Sequence, residues 1–221
     1  TVIAVQAGWR ERADLLGYFN AFDRKFYELK TLQAVYRAQT QQDKNRLHVV
    51  LLDEMNLSRP EQYFADFLSA LEGEGVARNI RLVDNRIENA PRALIDGRDL
   101  ALPQNVWFIG TANQDETTNA FADKTYDRAH VMELPRHREF FKPKRSKARP
   151  PVSLTALQGA FSAAQGLYQK QATDAYRFVD GSFADILGRQ FRVGWGNRLE
   201  RQMLDFVPVV LAGGGTLTEA V

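Results

Sequence analysis

Apolar positions along this chain follow two different periods, and the changes between them mark out its elements. TVIAVQ (1–6), LHVVLLDE (47–54) and NVWFIGTAN (105–113) are continuous apolar runs, the second ending in two acids and the third in polar residues. All three predict buried strands, and LHVVLLDE has the pattern of a parallel strand buried on both faces. HVMEL (130–134) predicts one more strand. Between the runs the period is helical, near Arg12–Leu16 and over Leu29–Gln39. It is helical again after Pro60, where Tyr63, Phe64, Phe67, Leu68 and Leu71 share a face and proline suits the first turn. A short helix is expected near Asn119–Asp127. Gly17–Asn20 reads as a turn and 39–46 as a loop. Residues 73–104, rich in glycine and arginine with short alternating runs, read as a protruding hairpin with a long irregular tip.

After the last strand pattern the composition changes. RHREFFKPKRSKARPP (136–151) is basic and proline-rich, as inter-domain linkers are. Beyond it the period is helical only, over roughly 153–170, 180–188 and 197–211, with GGG at 213–215 as a stop. The organisation expected is an α/β domain over 1–135, a linker over 136–152 and a small all-helical domain over 153–221. Thr1 opens inside a strand pattern and Val221 stops inside a helical one, so a fragment of a longer protein is expected.

Composition narrows the reading only a little. Hydrophobic residues make up 44% of 221, enough for a sizeable core, and the net charge of +2 gives no reason to expect nucleic acid or membrane binding. The absence of cysteine excludes disulfides and thiolate metal sites, and it suits a reducing compartment. The longest apolar runs, at 49–52 and 207–212, are too short to span a bilayer, and TVIAV is preceded by no basic leader. A soluble, cytoplasmic protein is expected.

The chemistry concentrates at two strand ends. A buried strand ending in Asp53-Glu54 puts two carboxylates at the carboxyl edge of a parallel sheet, where open α/β folds bind ligands. Phosphoryl transfer to water uses such a pair: Asp53 suits the Mg²⁺ shell and Glu54 the attacking water. The same pair also suits a solvated turn or a helix N-cap. The next buried strand ends in Thr111-Ala112-Asn113, and Asn113 would reach a γ-phosphate or the water without adding charge. As a turn residue Asn113 is equally ordinary.

LLDEMNLSRPEQYFADFLSALE (51–72) and FIGTANQDETTNAFADKTYDRAHVMEL (108–134) resemble the Walker B and sensor 1 regions of AAA+ proteins, most nearly the dynein-related, McrB-like branch. VIAVQAGWRERADLLGYFN (2–20) resembles that branch's second core strand and the segment after it. The likeness spans residues 1–134 well and the rest loosely. It implies a P-loop NTPase fold of AAA+ type, a parallel sheet flanked by helices and here lacking its first strand, followed by a helical lid. It implies Mg²⁺ with ATP or GTP, Asp53 and Glu54 as the Walker B pair, and Asn113 as sensor 1. Arg128 matches the arginine finger that reaches a neighbouring subunit's nucleotide, although Asp123 and Asp127 stand close enough in sequence to pair with it on the surface. Arg59 would stand at the same interface. GWGNRLERQMLDFVP (194–208) is similar to the helix carrying a sensor 2 arginine, Arg198 first and Arg201 second, and equally to an amphipathic helix with solvated arginines.

The resemblance further implies a homo-oligomeric ring, a hexamer, with a nuclease or other effector subunit and DNA as partners and no membrane. MoxR-type relatives instead remodel proteins as chaperones. One element is missing: no G-x-x-x-x-G-K-[ST] loop occurs anywhere in the sequence. This chain by itself is therefore expected to be inactive. The rival reading is a non-catalytic AAA+-like scaffold. Arg78, Arg81, Arg86, Arg92 and Arg98 make the 73–104 insertion basic enough to touch nucleic acid or an acidic surface, and its acids Asp84, Glu88, Asp96 and Asp99 dilute that charge.

Overall fold

The structure, a computed structural model, describes residues 1–40, 42–73, 78–113, 118–134 and 152–221. The chain divides into two compact units, Thr1–Pro151 and Val152–Val221. The basic segment 136–151 lies outside the described residues. None of the described helices is long and apolar enough to cross a membrane.

The first unit is mixed α/β. Strands β1 (Val2–Ala4) and β4 (His48–Asp53) pair in parallel, and β4 pairs in parallel with β8 (Val106–Gly110), giving the order β1-β4-β8. Between β1 and β4 lie α1 (Arg12–Leu16), a hairpin of β2 (Gly17–Asn20) and β3 (Lys25–Glu28), and α2 (Lys30–Ala38). Between β4 and β8 lie a single 3₁₀ turn at Met55–Leu57, then α3 (Pro60–Tyr63) and α4 (Ala65–Glu72). A small antiparallel sheet follows, of β5 (Asn79–Arg81), β6 (Leu94–Ile95) and β7 (Asp99–Ala101). The helix α5 (Asp123–Tyr126) comes after β8.

Successive right-handed crossovers that step the same way across a sheet place their helices on one face. Val50 and Leu52 of β4 accordingly share one buried cluster with Leu15, Leu16, Val35, Tyr63 and Phe67 from α1–α4. Each such side chain contributes about 1.5–3 kcal/mol on burial. The rings of Phe64, Phe67 and Phe108 close this core at centroid distances of 4.9–5.2 Å. Burial of β4 on both faces, expected from its sequence, is corrected here. By register Val2, Val49, Leu51, Trp107 and Ile109 form the opposite face, where Val2 is 62% and Ile109 49% exposed.

Two other expectations for this unit are overturned. Residues 17–20 are a strand, because Asn20 supplies the turn one step later by accepting from the Phe22 and Asp23 amides. The stacked rings of Tyr18 and Tyr27, 5.7 Å apart, then register β2 against β3. HVMEL is not a strand: 130–134 pair with no described backbone, and Met132 and Leu134 are more than 80% exposed. Apolar sequence alone does not make a strand without a neighbour to receive its hydrogen bonds.

Gly17 is where the hairpin leaves α1. Its φ of 100° with ψ of −177° is open only to glycine, and a Cβ there would stand 1.9 Å from the Tyr27 carbonyl oxygen. Gly17→Ala is expected to destabilise the protein by about 2 kcal/mol or more, read as a lower denaturant midpoint. An unchanged midpoint would remove the argument.

The second unit is helical. The separate helices expected at 153–170 and 180–188 are one continuous helix, α6 (Leu154–Phe191), capped by the Ser153 hydroxyl on the Ala156 amide at 3.1 Å. Gly181 does not break it, because the preceding turn is fastened from outside. Tyr176 and Val179 pack on α7 (Asn197–Ala212), and the Trp195 indole N–H donates to Asp180 at 3.1 Å. Ala172 and Ala175 let Met203 and Val207 approach closely, while Gln165 bonds Asp205, so α6 and α7 run antiparallel. Gly213 follows the last turn of α7, and a capping box of Thr216 and Glu219 opens α8 (Leu217–Ala220).

Candidate functional site

The carboxyl ends of β4 and β8 stand side by side, Leu52 opposite Gly110, so Asp53-Glu54 and Thr111-Ala112-Asn113 leave the sheet together. The residues paired by sequence reasoning are thus brought to one edge. Asp53, Glu54 and Asn113 are all exposed there. As the last residue of the central strand, Asp53 is held from both sides. Its carbonyl accepts from the Val5 amide at 3.0 Å, and its Oδ1 accepts from the Thr111 hydroxyl at 2.8 Å.

Glu54 turns the chain out of the strand in a left-handed conformation, φ 54° and ψ 49°. For a residue with a Cβ this conformation costs roughly 1–2 kcal/mol, so neighbours must impose it. They do. The Glu54 amide donates to Thr111 Oγ1 at 2.9 Å, and the Met55 amide to the Thr111 carbonyl at 2.7 Å. Met55 folds over Gly110, where a Cβ would meet its sulfur at 2.5 Å. The buried Tyr63 hydroxyl donates to the Met55 carbonyl at 3.0 Å. Burial, with a smaller effect from the charge of Glu61, raises the Tyr63 phenol above its ordinary range, so it remains a donor. Trp9 packs edge-on against Tyr63, and the Ser58 hydroxyl donates to the Trp9 carbonyl.

A second fastening joins the segments beyond the strands. Asn56 is 2% exposed and donates its side-chain amide to the carbonyls of Asn113 at 2.7 Å and Asn119 at 3.2 Å. Asn119 answers, its backbone amide reaching the Asn56 carbonyl at 2.9 Å and its side chain the Asn56 and Leu57 carbonyls at 3.2 Å. The Thr118 hydroxyl adds a bond to the Asn113 carbonyl at 2.8 Å. The backbone of Asn113 is therefore fixed while its side chain faces out. Sequence reasoning missed Asn56 and Asn119 as parts of the site. No local pattern marks either of them, because each is fixed by partners 57–63 positions away in the chain.

The remaining candidates are not joined to this edge. Arg128 makes an ion pair with Glu72 at 3.3 Å (Nε to Oε2, off the angle of a hydrogen bond) and reaches the Ser69 hydroxyl at 3.4 Å. The surface partners suggested by sequence were Asp123 and Asp127; the partners found on Arg128 are side chains of α4. No hydrogen bond or ion pair links Arg128 to Asp53, Glu54 or Asn113 among the described residues. Arg59 is exposed at the start of α3. In the second unit Arg198 is half-buried in the first turn of α7, and Arg201 is exposed one turn on.

The insertion before β8 is less available than its arginine count suggests. Arg81 pairs with Asp99, and Arg98 stands 4.0 Å from Asp96. Arg78 donates to the Leu102 and Leu71 carbonyls, and burial lowers its guanidinium pKa. A cleft of about 690 Å³ lies between the β2–β3 hairpin and residues 82–86, lined by Arg10, Arg12, Tyr18, Asp66 and Arg86, so it is not at the carboxylate edge.

Among the described residues no group of three or more His, Cys, Asp or Glu could hold a metal unaided. The single carboxylate of Asp53, with Oδ1 bonded to Thr111 and Oδ2 without a described partner, fits a Mg²⁺ that keeps several waters and takes its other ligands from phosphate oxygens. No family model, curated protein or solved structure matches this chain.

Proposed function

We propose that this chain is most of the nucleotide-hydrolysing core of a Mg²⁺-dependent nucleoside triphosphatase of AAA+ type, of the dynein-related, McrB-like branch. The observation that carries the reading is the meeting of Asp53 and Glu54, at the end of the central parallel strand, with Thr111–Asn113 at the end of its neighbour. In the AAA+ sheet the second core strand, the Walker B strand and the sensor 1 strand lie side by side in that order, and β1, β4 and β8 fit it.

In this reading Asp53 would hold the water shell of a Mg²⁺, and that metal would supply charge neutralisation at the phosphates. Glu54 accepts the proton of the attacking water and Asn113 orients that water or the γ-phosphate. The phosphate cradle comes from outside these 221 residues, because the sequence holds no Gly-rich loop with Lys-Ser/Thr. The uncovered apolar face of Val2, Leu51, Trp107 and Ile109, with β8 at the sheet's edge, fits a further strand and helix from such a segment. The protein works as a homo-oligomeric ring, a hexamer, hydrolysing ATP or GTP. Its effector is a nuclease subunit acting on DNA, or, in a MoxR-like role, a protein to be remodelled. Arg198 or Arg201 contacts the γ-phosphate from the helical lid.

The direct test is phosphate release by the full-length protein with ATP and GTP, with and without Mg²⁺. Metal-dependent release with either nucleotide supports the proposal. A full-length protein that neither binds nor hydrolyses either nucleotide would leave the rival reading, a non-catalytic scaffold.

Arg128 is assigned to the neighbouring subunit's nucleotide, which requires it to leave Glu72. Arg128→Ala is expected to lower turnover about a hundredfold, the scale for losing one charge-stabilising donor. Mixing Arg128→Ala with Glu54→Gln subunits is expected to restore part of the activity, since some interfaces then pair an intact arginine with an intact glutamate. Mixed rings with no recovery would confine Arg128 to its contact with Glu72.

A further inference from the structure

The structure assigns to Thr111 the placing of both carboxylates, as a positioning residue that touches neither metal nor substrate; the inference rests on the hydrolytic reading of this edge. Every polar group of Thr111 is spent on the end of β4 and the turn that follows it. Its amide donates to the Leu52 carbonyl at 3.0 Å, and its carbonyl accepts from the Met55 amide at 2.7 Å. Its single hydroxyl accepts from the Glu54 amide at 2.9 Å and donates to Asp53 Oδ1 at 2.8 Å. One oxygen therefore connects the two acids that would do different work.

Two consequences follow from the direction of those bonds. The hydroxyl proton is committed to Asp53 Oδ1, which leaves Oδ2 as the oxygen directed to a hydrated cation. The hydroxyl lone pair is committed to the Glu54 amide, and this holds the left-handed φ with which Glu54 turns the chain out of the strand. Thr111 is itself exposed, so removing the hydroxyl opens no cavity, and a β-branched replacement suits the end of a strand. Its backbone bonds to Leu52 and Met55 survive any side-chain change. The hydroxyl can thus be tested apart from the fold.

The test compares Thr111→Val, which keeps the shape and loses the hydroxyl, with Thr111→Ser, which keeps the hydroxyl, both in the full-length protein. Amide hydrogen exchange without nucleotide is the first readout. In Thr111→Val the Glu54 amide is expected to exchange about tenfold faster, the scale of one lost hydrogen bond, while Val50 and Leu52 keep their protection. Thr111→Ser is expected to restore the slow rate at Glu54. Steady-state hydrolysis is the second readout. In Thr111→Val kcat is expected to fall about tenfold to a hundredfold with KM within about twofold, the scale of a small misplacement of reacting groups, and serine recovers most of it.

Unchanged exchange at Glu54 overturns the assignment, and so does a loss of protection spread through β4, which would mark a merely structural residue. Faster exchange at Glu54 alone, in a protein whose unmutated form turns over no nucleotide, upholds Thr111 as the positioning residue and rejects hydrolysis as the purpose of the edge.

Discussion

Glu54→Gln is expected to leave Mg²⁺-nucleotide binding within about twofold and to cut turnover by about 10³–10⁴, toward the upper end for loss of a positioned general base. Glutamine preserves the length of the side chain and the backbone bonds that hold residue 54, namely its amide on Thr111 and its carbonyl accepting from Leu57 at 2.9 Å. What changes is the ability to accept a proton. The Glu54 carboxylate is exposed and has no described partner, so its removal strands no buried group and costs little stability. A loss in kcat with binding retained therefore isolates chemistry from folding. Single-turnover phosphate release beside equilibrium binding of a fluorescent nucleotide reads both quantities. A variant that turns over at the normal rate shows that the proton goes elsewhere. A variant that no longer binds shows that Glu54 acts in binding and that the division of labour between the two acids is wrong.

Asn105→Asp is expected to lower the stability of the α/β unit by about 4 kcal/mol or more. Asn105 is 2% exposed where β8 begins. Its side-chain amide nitrogen faces four backbone carbonyls, those of Ala38 and Arg46 at 3.0 Å, Asp43 at 3.2 Å and Lys44 at 3.3 Å. Its own carbonyl accepts from the His48 amide at 2.8 Å. The side chain thereby gathers the end of α2 and the loop after it, and the backbone carbonyl ties in the start of β4. Aspartate is close to the same shape, but it would set a carboxylate oxygen, desolvated, among four partial negative charges. Asn105→Ala removes the donors without adding charge and is expected to cost less, about 3 kcal/mol, the remainder being carbonyls left without partners. Denaturant unfolding followed by far-ultraviolet circular dichroism gives both values. Equal midpoints for the aspartate and alanine variants would mean that the carbonyls have reoriented and that the electrostatic argument fails.

The two residues differ in how they are read from sequence. Glu54 is conspicuous, because an acid pair closing an apolar run is a local pattern and its chemistry follows from residue type. Asn105 looks like the first residue of a strand. Its partners lie 59–67 positions earlier in the chain, a distance over which no periodicity speaks. The same holds for Thr111 on Asp53 and Glu54, for Asn56 on Asn119, and for Arg128 on Glu72. In each of these pairs one member ends or follows β4 in the chain and the other follows β8, and the parallel pairing of those strands brings the two segments to one side.

Sequence by itself determined the elements whose signal is local. Continuous apolar runs specified β1, β4 and β8, helical spacing of aromatics specified the helical stretch after Pro60, and proline and glycine marked its start and the end of α7. The acids at the end of β4 were legible because they interrupt a hydrophobic run. Tertiary structure decided whatever depends on a partner. It made a strand of residues 17–20, whose register comes from Tyr18 against Tyr27, and left HVMEL without one, since no described backbone pairs with it. It carried α6 past Gly181 because α7 holds the flanking turn. It left one face of the sheet partly exposed among the described residues, because both crossovers pass over the other. The physical reason is common to these cases: propensity is a property of a few neighbouring residues, whereas pairing and burial depend on groups that only folding brings together.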